Sequence, residues 1–202
     1  MKLILLSTPF YFVEEHQIIN ALFDEGLELF HLRKPDTDAA YLERLITLIK
    51  EPYRKQIVIH DHFYLKSEYN LKGIHLNRRN PVCPQNYKGT ISCSCHSAEE
   101  VVQVKRKYDY VFLSPIFNSI SKQGYPSRFT AEQLQRLSKE KIIDRKVMAL
   151  GGVCLDNIST IKDYGFGGAV VLGDLWNRFD QHSTQDFKGI IQQFRKLEKA
   201  IN

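Results

Sequence analysis

Short apolar runs punctuate the chain, and helix-period patterns fill the gaps between them. Leu3–Leu6, Leu29–Leu32, Ile57–His60, Gly73–Leu76, Thr90–Ser94, Tyr110–Leu113, Val147–Leu150 and Ala169–Leu172 have the length and apolar content of buried strands. Glu14–Phe23 carries Ile18, Ile19, Leu22 and Phe23 on one helical face, and Gly26 is placed to end it. Asp38 is a candidate cap for a helix carrying Leu42, Leu45, Ile46 and Ile49, which Pro52 is expected to stop. Ser97 with Glu100 matches a capping box. Thr130 opens a further helix and Asp156 another, and Gln185–Ala200 is amphipathic through Phe187, Ile190, Ile191, Phe194 and Leu197. Helix signal is poor between the third, fourth and fifth strands, where Pro81 and Pro84 point to loop.

Strands alternating with helices predict an α/β protein with a parallel sheet, and eight such units fit a closed (β/α)₈ barrel as one domain over residues 1–202. The same alternation also fits a doubly wound open sheet, and the pattern does not separate the two. With 202 residues, 43% hydrophobic and 25% charged, disordered and fibrous classes drop out. The apolar run at Leu3–Leu6 is too short for a span and lacks the flanks of a signal peptide, so a cytoplasmic setting without membrane contact is expected. Cys83, Cys93, Cys95 and Cys154 are then expected as free thiols. The net charge of +5 has no dense Lys/Arg block with interleaved aromatics, which argues against nucleic acid. An acidic substrate or simple solubility accounts for it equally well.

In a barrel, chemistry collects where strands end. Gly151-Gly152 follows the seventh strand and Gly173 the eighth. Glycine lets backbone N–H groups approach a phosphate, and barrels often bind one between these loops; ordinary tight turns are the alternative. In Ser92-Cys93-Ser94-Cys95-His96 the period of two puts Ser94 and His96 on one face and the cysteines on the other. His96 there is a candidate general acid or base, or else a capping or core histidine. His60-Asp61-His62 invites a divalent-metal hydrolase reading, although no further carboxylate at the last strand exits completes it. Arg33 shares a face with His31 and suits a phosphate or carboxylate. Residues 115–128 form a long irregular stretch containing Lys122, of a length typical of binding loops.

Taken in order, His31-Leu32-Arg33, His60-Asp61, Gly73-Ile74-His75-Leu76, Ser94-Cys95-His96-Ser97, Ser114-Pro115-Ile116-Phe117, Ser119-Ile120-Ser121-Lys122, Ala149-Leu150-Gly151-Gly152 and Gly167-Gly168-Ala169-Val170-Val171 resemble the thiamine phosphate synthase/TenI family. The resemblance implies a (β/α)₈ barrel acting on thiazole phosphate, a small phosphorylated substrate, and working as a homo-oligomer. It implies catalysis by His96 and Ser94. Substrate binding falls to His31, Arg33, His60, Ser119, Ser121, Lys122, Gly151, Gly152 and Gly173, with Asp61 as metal ligand. Magnesium enters only if the chain is a synthase, which joins hydroxymethylpyrimidine pyrophosphate to thiazole phosphate; otherwise no cofactor is expected. Several positions depart from the synthase pattern. His31 stands where the synthase has Gln, Lys34 is one place off its lysine, and Asn80 stands at its second magnesium-binding Asp. Those departures, with Ser-x-His-Ser at the fifth strand, lean toward a tautomerase that aromatises the thiazole by a proton shift on His96. A sensor that binds the phosphate without turnover is the remaining expectation.

Overall fold

The computed structural model describes residues 1–119, 126–179 and 187–202. Strands β1 (Lys2–Leu6), β2 (Phe30–Leu32), β3 (Ile57–Ile59), β4 (Gly73–Leu76), β5 (Thr90–Cys95), β6 (Tyr110–Leu113), β7 (Val147–Leu150) and β8 (Gly168–Val171) all pair in parallel and close in chain order into a barrel. The closed ring answers the question that alternation left open, because β1 pairs with β8 over Lys2↔Gly168 to Leu5↔Val171. Helices α1 (Glu15–Asp24), α2 (Ala39–Leu48), α3 (Glu51–Arg54), α4 (Leu65–Glu68), α5 (Ala98–Val104), α6 (Ala131–Lys139), α7 (Ile158–Asp163), α8 (Gly173–Trp176) and α9 (Lys188–Ile201) surround it. The poor helix signal after β3 corresponds to a single turn, α4, and the chain from β4 to β5 holds no helix. Among the described residues no helix is long and apolar enough to cross a membrane.

Caps follow the local chemistry. The Asp38 side chain accepts from the Ala40 N–H, and Thr130 and Gln133 form a reciprocal capping box. Two boundaries differ from the sequence expectation. Pro52 does not stop α2, which ends at Leu48; it sits in the first turn of α3, where its missing N–H costs no hydrogen bond. Asp156 does not open a helix: a short 3₁₀ turn spans Leu155–Asn157, and the Asn157 side chain binds the Cys154 N–H and the Gly152 carbonyl before α7 begins.

The period of two splits each strand between two cores. Outward residues such as Leu5, Leu32, Ile59, Cys93, Cys95 and Leu113 pack under the helices. Inward residues Ile4, Leu6, Leu29, Val58, Tyr110, Phe112, Met148 and Val170 fill part of the barrel interior. The rest of the interior is polar, with His31, His60, His75 and Ser92 all buried. Barrel interiors are commonly filled by Val, Ile and Leu, so this polar half needs its own hydrogen bonds.

Candidate active site

The strand exits surround one cavity of about 670 Å³ at the carboxyl end of the barrel. Leu6, Phe112, Leu150, Val170 and Leu172 form an apolar wall; Ser94, His96, Ser114 and Ser119 are polar; and Arg33, Arg78, Arg79 and Arg128 supply positive charge. Gly151, Gly152 and Gly173 complete the rim.

The turns after β7 and β8 lie side by side. Asp174, in α8, accepts from the Leu155 N–H at 3.1 Å and from Gln193 Nε2 at 2.7 Å, which ties both turns to α9. Trp176 Nε1 donates to the Leu6 carbonyl at 2.8 Å and anchors α8 to β1. Gly151 and Gly152 have φ of +96° and +65°. A Cβ on Gly151 would lie 2.7 Å from Pro115 Cα, and one on Gly152 would lie 2.2 Å from the Asn118 carbonyl oxygen. The pair is therefore required first by the loop after β6 packing against it, with Ile116 and Phe117 N–H groups donating to Leu150 and Gly151. Phosphate approach is compatible with that requirement.

His96 follows β5 and is held from two sides. Its N–H donates to Glu100 Oε2 at 2.6 Å, while the Glu100 N–H donates to Ser97 Oγ. Ser97 caps α5, but the reciprocal box expected with Glu100 does not close: the Glu100 carboxylate reaches past the Ser97 N–H to that of His96 and fixes the His96 backbone instead. Nδ1 lies 3.1 Å from the Ser114 carbonyl. Ser114 Oγ lies 3.3 Å from the same nitrogen. A carbonyl only accepts, so with the hydroxyl as a second acceptor the neutral ring carries its proton on Nδ1 and its lone pair on Nε2.

Below the cavity the polar interior forms a hydrogen-bonded network. Ser94 Oγ lies 2.8 Å from His75 Nε2, and His75 Nδ1 lies 2.8 Å from Ser92 Oγ. His31 Nδ1 lies 2.9 Å from His60 Nε2, and His31 Nε2 lies 2.7 Å from the Tyr110 hydroxyl. The three imidazoles have ligand atoms within 4.8 Å of one another. Both nitrogens of His31 and His75 are already engaged by protein groups, which makes the cluster a hydrogen-bonded network rather than a metal centre. Burial, reinforced by neighbouring imidazoles and by Arg33, lowers the affinity of all three for protons, and His75 is pushed down to about 3. They are neutral at pH 7.

The structure brings Arg33, His60, Ser94, His96, Ser119, Gly151, Gly152 and Gly173 to one cavity. His31 faces the same way as Arg33 but lies one layer deeper, where it supports His60 and does not line the cavity. Ser121 and Lys122 lie outside the described residues. Cys93 and Cys95 face outward and are buried, and the cysteines are free thiols. His60-Asp61-His62 is split three ways: His60 points inward, Asp61 pairs with Arg79, and His62 Nε2 binds the Thr37 carbonyl. No hydrolase-type metal site forms there. Lys34 is buried away from the cavity, with Nζ 2.6 Å from Glu15 Oε1 and hydrogen-bonded to the Phe10 carbonyl.

For magnesium, the residues around Asp61 do not fit. Asp61 Oδ1 is taken by Arg79 Nη2 at 3.2 Å and Asn80 Nδ2 at 2.9 Å. Asn80 Nδ2 also donates to the His60 carbonyl; both neighbours are acceptors, so the amide must turn its NH₂ end, not its oxygen, toward Asp61. What remains is Asp61 Oδ2, buried and without a hydrogen-bond partner. One carboxylate oxygen beside guanidinium groups is a poor set for a hard dication.

Arg78, Arg79 and Arg128 line the cavity although the resemblance names none of them. The first two sit at the second and third positions past the end of β4, in the stretch that leads to Asn80, where residue type alone does not mark them as cavity residues. Arg128 returns from a loop pinned by its N–H to the Pro115 carbonyl, and no local pattern marks it.

Comparison with known proteins follows the same lines. The family model described as thiamine monophosphate synthase matches residues 7–175. The solved thiamine phosphate pyrophosphorylase from Bacteroides thetaiotaomicron is 58% identical, with 99% of this chain and 97% of that chain covered and a TM-score of 0.91. The thiamine-phosphate synthase of Staphylococcus carnosus is 23% identical over 190 residues, covering 89% of this chain and 88% of that protein. The thiamine-phosphate synthase of Limosilactobacillus reuteri is 24% identical over 139 residues, covering 65% of this chain and 64% of that protein's length.

Proposed function

The chain belongs to the thiamine monophosphate synthase family, and from that premise we propose that it is a thiazole tautomerase of thiamin biosynthesis, moving a proton on thiazole phosphate carboxylate so that the ring becomes aromatic. The observation that carries the reading is His96, which shares a cavity with both glycine turns and whose Nδ1 faces the Ser114 carbonyl. The N–H groups of the turns at Gly151-Gly152 and Gly173 receive the phosphate. Nε2 of His96 takes a proton from one ring carbon and, as imidazolium, returns one to the carbon that must gain it. Proton and charge balance, and no oxidant is consumed. Ser94, fixed by His75, orients the ring; His60, fixed by His31, forms the floor; Arg33 and Ser119 hold the polar edges. The resemblance adds Ser121 and Lys122 as substrate-binding residues. The apolar wall of Leu6, Phe112 and Leu172 keeps water from the carbanion-like intermediate. The same reading takes residues 1–202 as one catalytic unit that works as a homo-oligomer in the cytoplasm.

A synthase reading is favoured by the relatives' names: the family model and the curated relatives are described as thiamine phosphate synthases, and the 58%-identical structure as a thiamine phosphate pyrophosphorylase. The two are separated by product. Supplied with thiazole phosphate carboxylate, the chain should form the aromatic isomer at the same rate with magnesium or EDTA. Thiamine phosphate from hydroxymethylpyrimidine pyrophosphate and thiazole phosphate, formed only with magnesium and with no isomerisation, would replace the tautomerase by the synthase.

A further inference from the structure

The exits of β3 and β4 set Asp61 beside a tight turn at residues 77–80. Asn77 and Asn80 exchange backbone hydrogen bonds, and Asn77 Oδ1 accepts from the N–H groups of Arg79 and Asn80. The Asn77 amide in turn donates to the His60 carbonyl at 3.0 Å, so the turn is bolted to the β3 exit. That framework delivers two donors onto one oxygen of Asp61: Arg79 Nη2 and Asn80 Nδ2. The Asp61 side chain is 11% exposed, whereas that of Arg79 is 36% exposed and lines the cavity. Arg79 therefore spends part of its fork on Asp61 and keeps other N–H groups for a ligand. Arg33, on the adjoining exit, lines the same rim; burial and the nearby charge of Arg79 lower its proton affinity, and Asp61 offsets them in part.

We propose that Arg79 stands in the place of a divalent cation at Asp61, so that Arg79 and Arg33 together bind the second anionic group of the ligand, a carboxylate, without metal. The chemistry of the arrangement supports this. A guanidinium neutralises one carboxylate and presents parallel N–H donors to another, a planar match that a hydrated dication lacks. Asn80 contributes through its neutral amide, which donates to Asp61 and adds no second negative charge that a cation would need. The identity of the ligand's anionic group rests on the tautomerase reading. The exclusion of metal does not.

Mn²⁺ serves as the probe, titrated into the full chain and followed by electron paramagnetic resonance. Wild type should bind no Mn²⁺ that Asp61→Asn removes. The Arg79→Gln/Asn80→Asp double variant frees Asp61 and adds a carboxylate, and should gain one Mn²⁺ site at least roughly tenfold tighter than any in wild type, lost again on adding Asp61→Asn. In the isomerisation assay Arg79→Ala should raise KM by at least roughly tenfold and lower kcat by much less. An Asp61-dependent Mn²⁺ site in wild type, or no gain in the double variant, overturns the proposal. So does an unchanged KM for Arg79→Ala. The resonance signal needs no turnover, so a chain inactive as a tautomerase would end that reading while the metal result still stood.

Discussion

Lowering the pH from 7 to 5 should destabilise the fold steeply, because the barrel interior holds three histidines that do not accept protons. Burial is the largest cause for His31, His60 and His75, and Arg33 and neighbouring imidazoles add to it. Their folded-state proton affinities lie below the ordinary histidine value of 6.5, at about 3 for His75. The unfolded chain therefore takes up protons below pH 6.5 that the folded chain refuses. The stabilisation is complete above that value and is lost as pH falls toward about 3. Each such proton is worth about 1.4 kcal/mol per pH unit, so three give about 4 kcal/mol per unit. Glu15 works against them. Burial, only partly offset by Lys34, pushes it up to about 6, so the folded chain gains that proton first as pH falls. The net slope between pH 6 and 5 is then two protons, or about 3 kcal/mol per unit. Against a total stability of roughly 5–15 kcal/mol this is large. Urea unfolding followed by circular dichroism at pH 7, 6 and 5 measures it. His75→Gln, which keeps hydrogen-bonding groups and removes the titration, should reduce the slope by about one proton. Stability that is flat from pH 6.5 to 5, or a slope that His75→Gln leaves unchanged, would refute the neutral-cluster argument.

Lys34→Met should cost about 3–5 kcal/mol in urea unfolding at pH 7, because it strands the buried Glu15 carboxylate; adding Glu15→Leu should recover most of the loss. A single variant as stable as wild type would mean that the pair carries no uncompensated charge. Gly152→Ala should destabilise by more than about 1 kcal/mol and weaken phosphate-ligand binding together, since the new Cβ meets the Asn118 carbonyl in a backbone of φ +65°. Calorimetry showing normal binding and normal stability would contradict that steric account.

The fold was readable because β strands bury one face outward and one inward, and that alternation survives in the letters. The same period assigned Ser94 and His96 to one side and the two β5 cysteines to the other. It fixes a face but not a depth, which is why His31 reads like a cavity residue although it sits a layer below His60. The glycines after β7 were legible as special, while their reason was not: the clash partners Pro115 and Asn118 are more than thirty residues earlier in the chain. Arg79 was hidden for a similar reason. Its meaning comes from Asp61 across the β3–β4 boundary, and local pattern carries no trace of a partner 18 residues away. The Asp156 boundary failed because Asn157, not Asp156, has the geometry to close the turn.

The central claim is that a single imidazole moves the proton while separate backbone turns hold the phosphate. Its most direct test is His96→Asn, with isomerisation rate and phosphate-ligand affinity measured on the same sample. The account predicts that kcat falls by about 10²–10⁴-fold with affinity changed by less than about threefold. A variant that isomerises at the wild-type rate, or one that loses binding as severely as turnover, would contradict it.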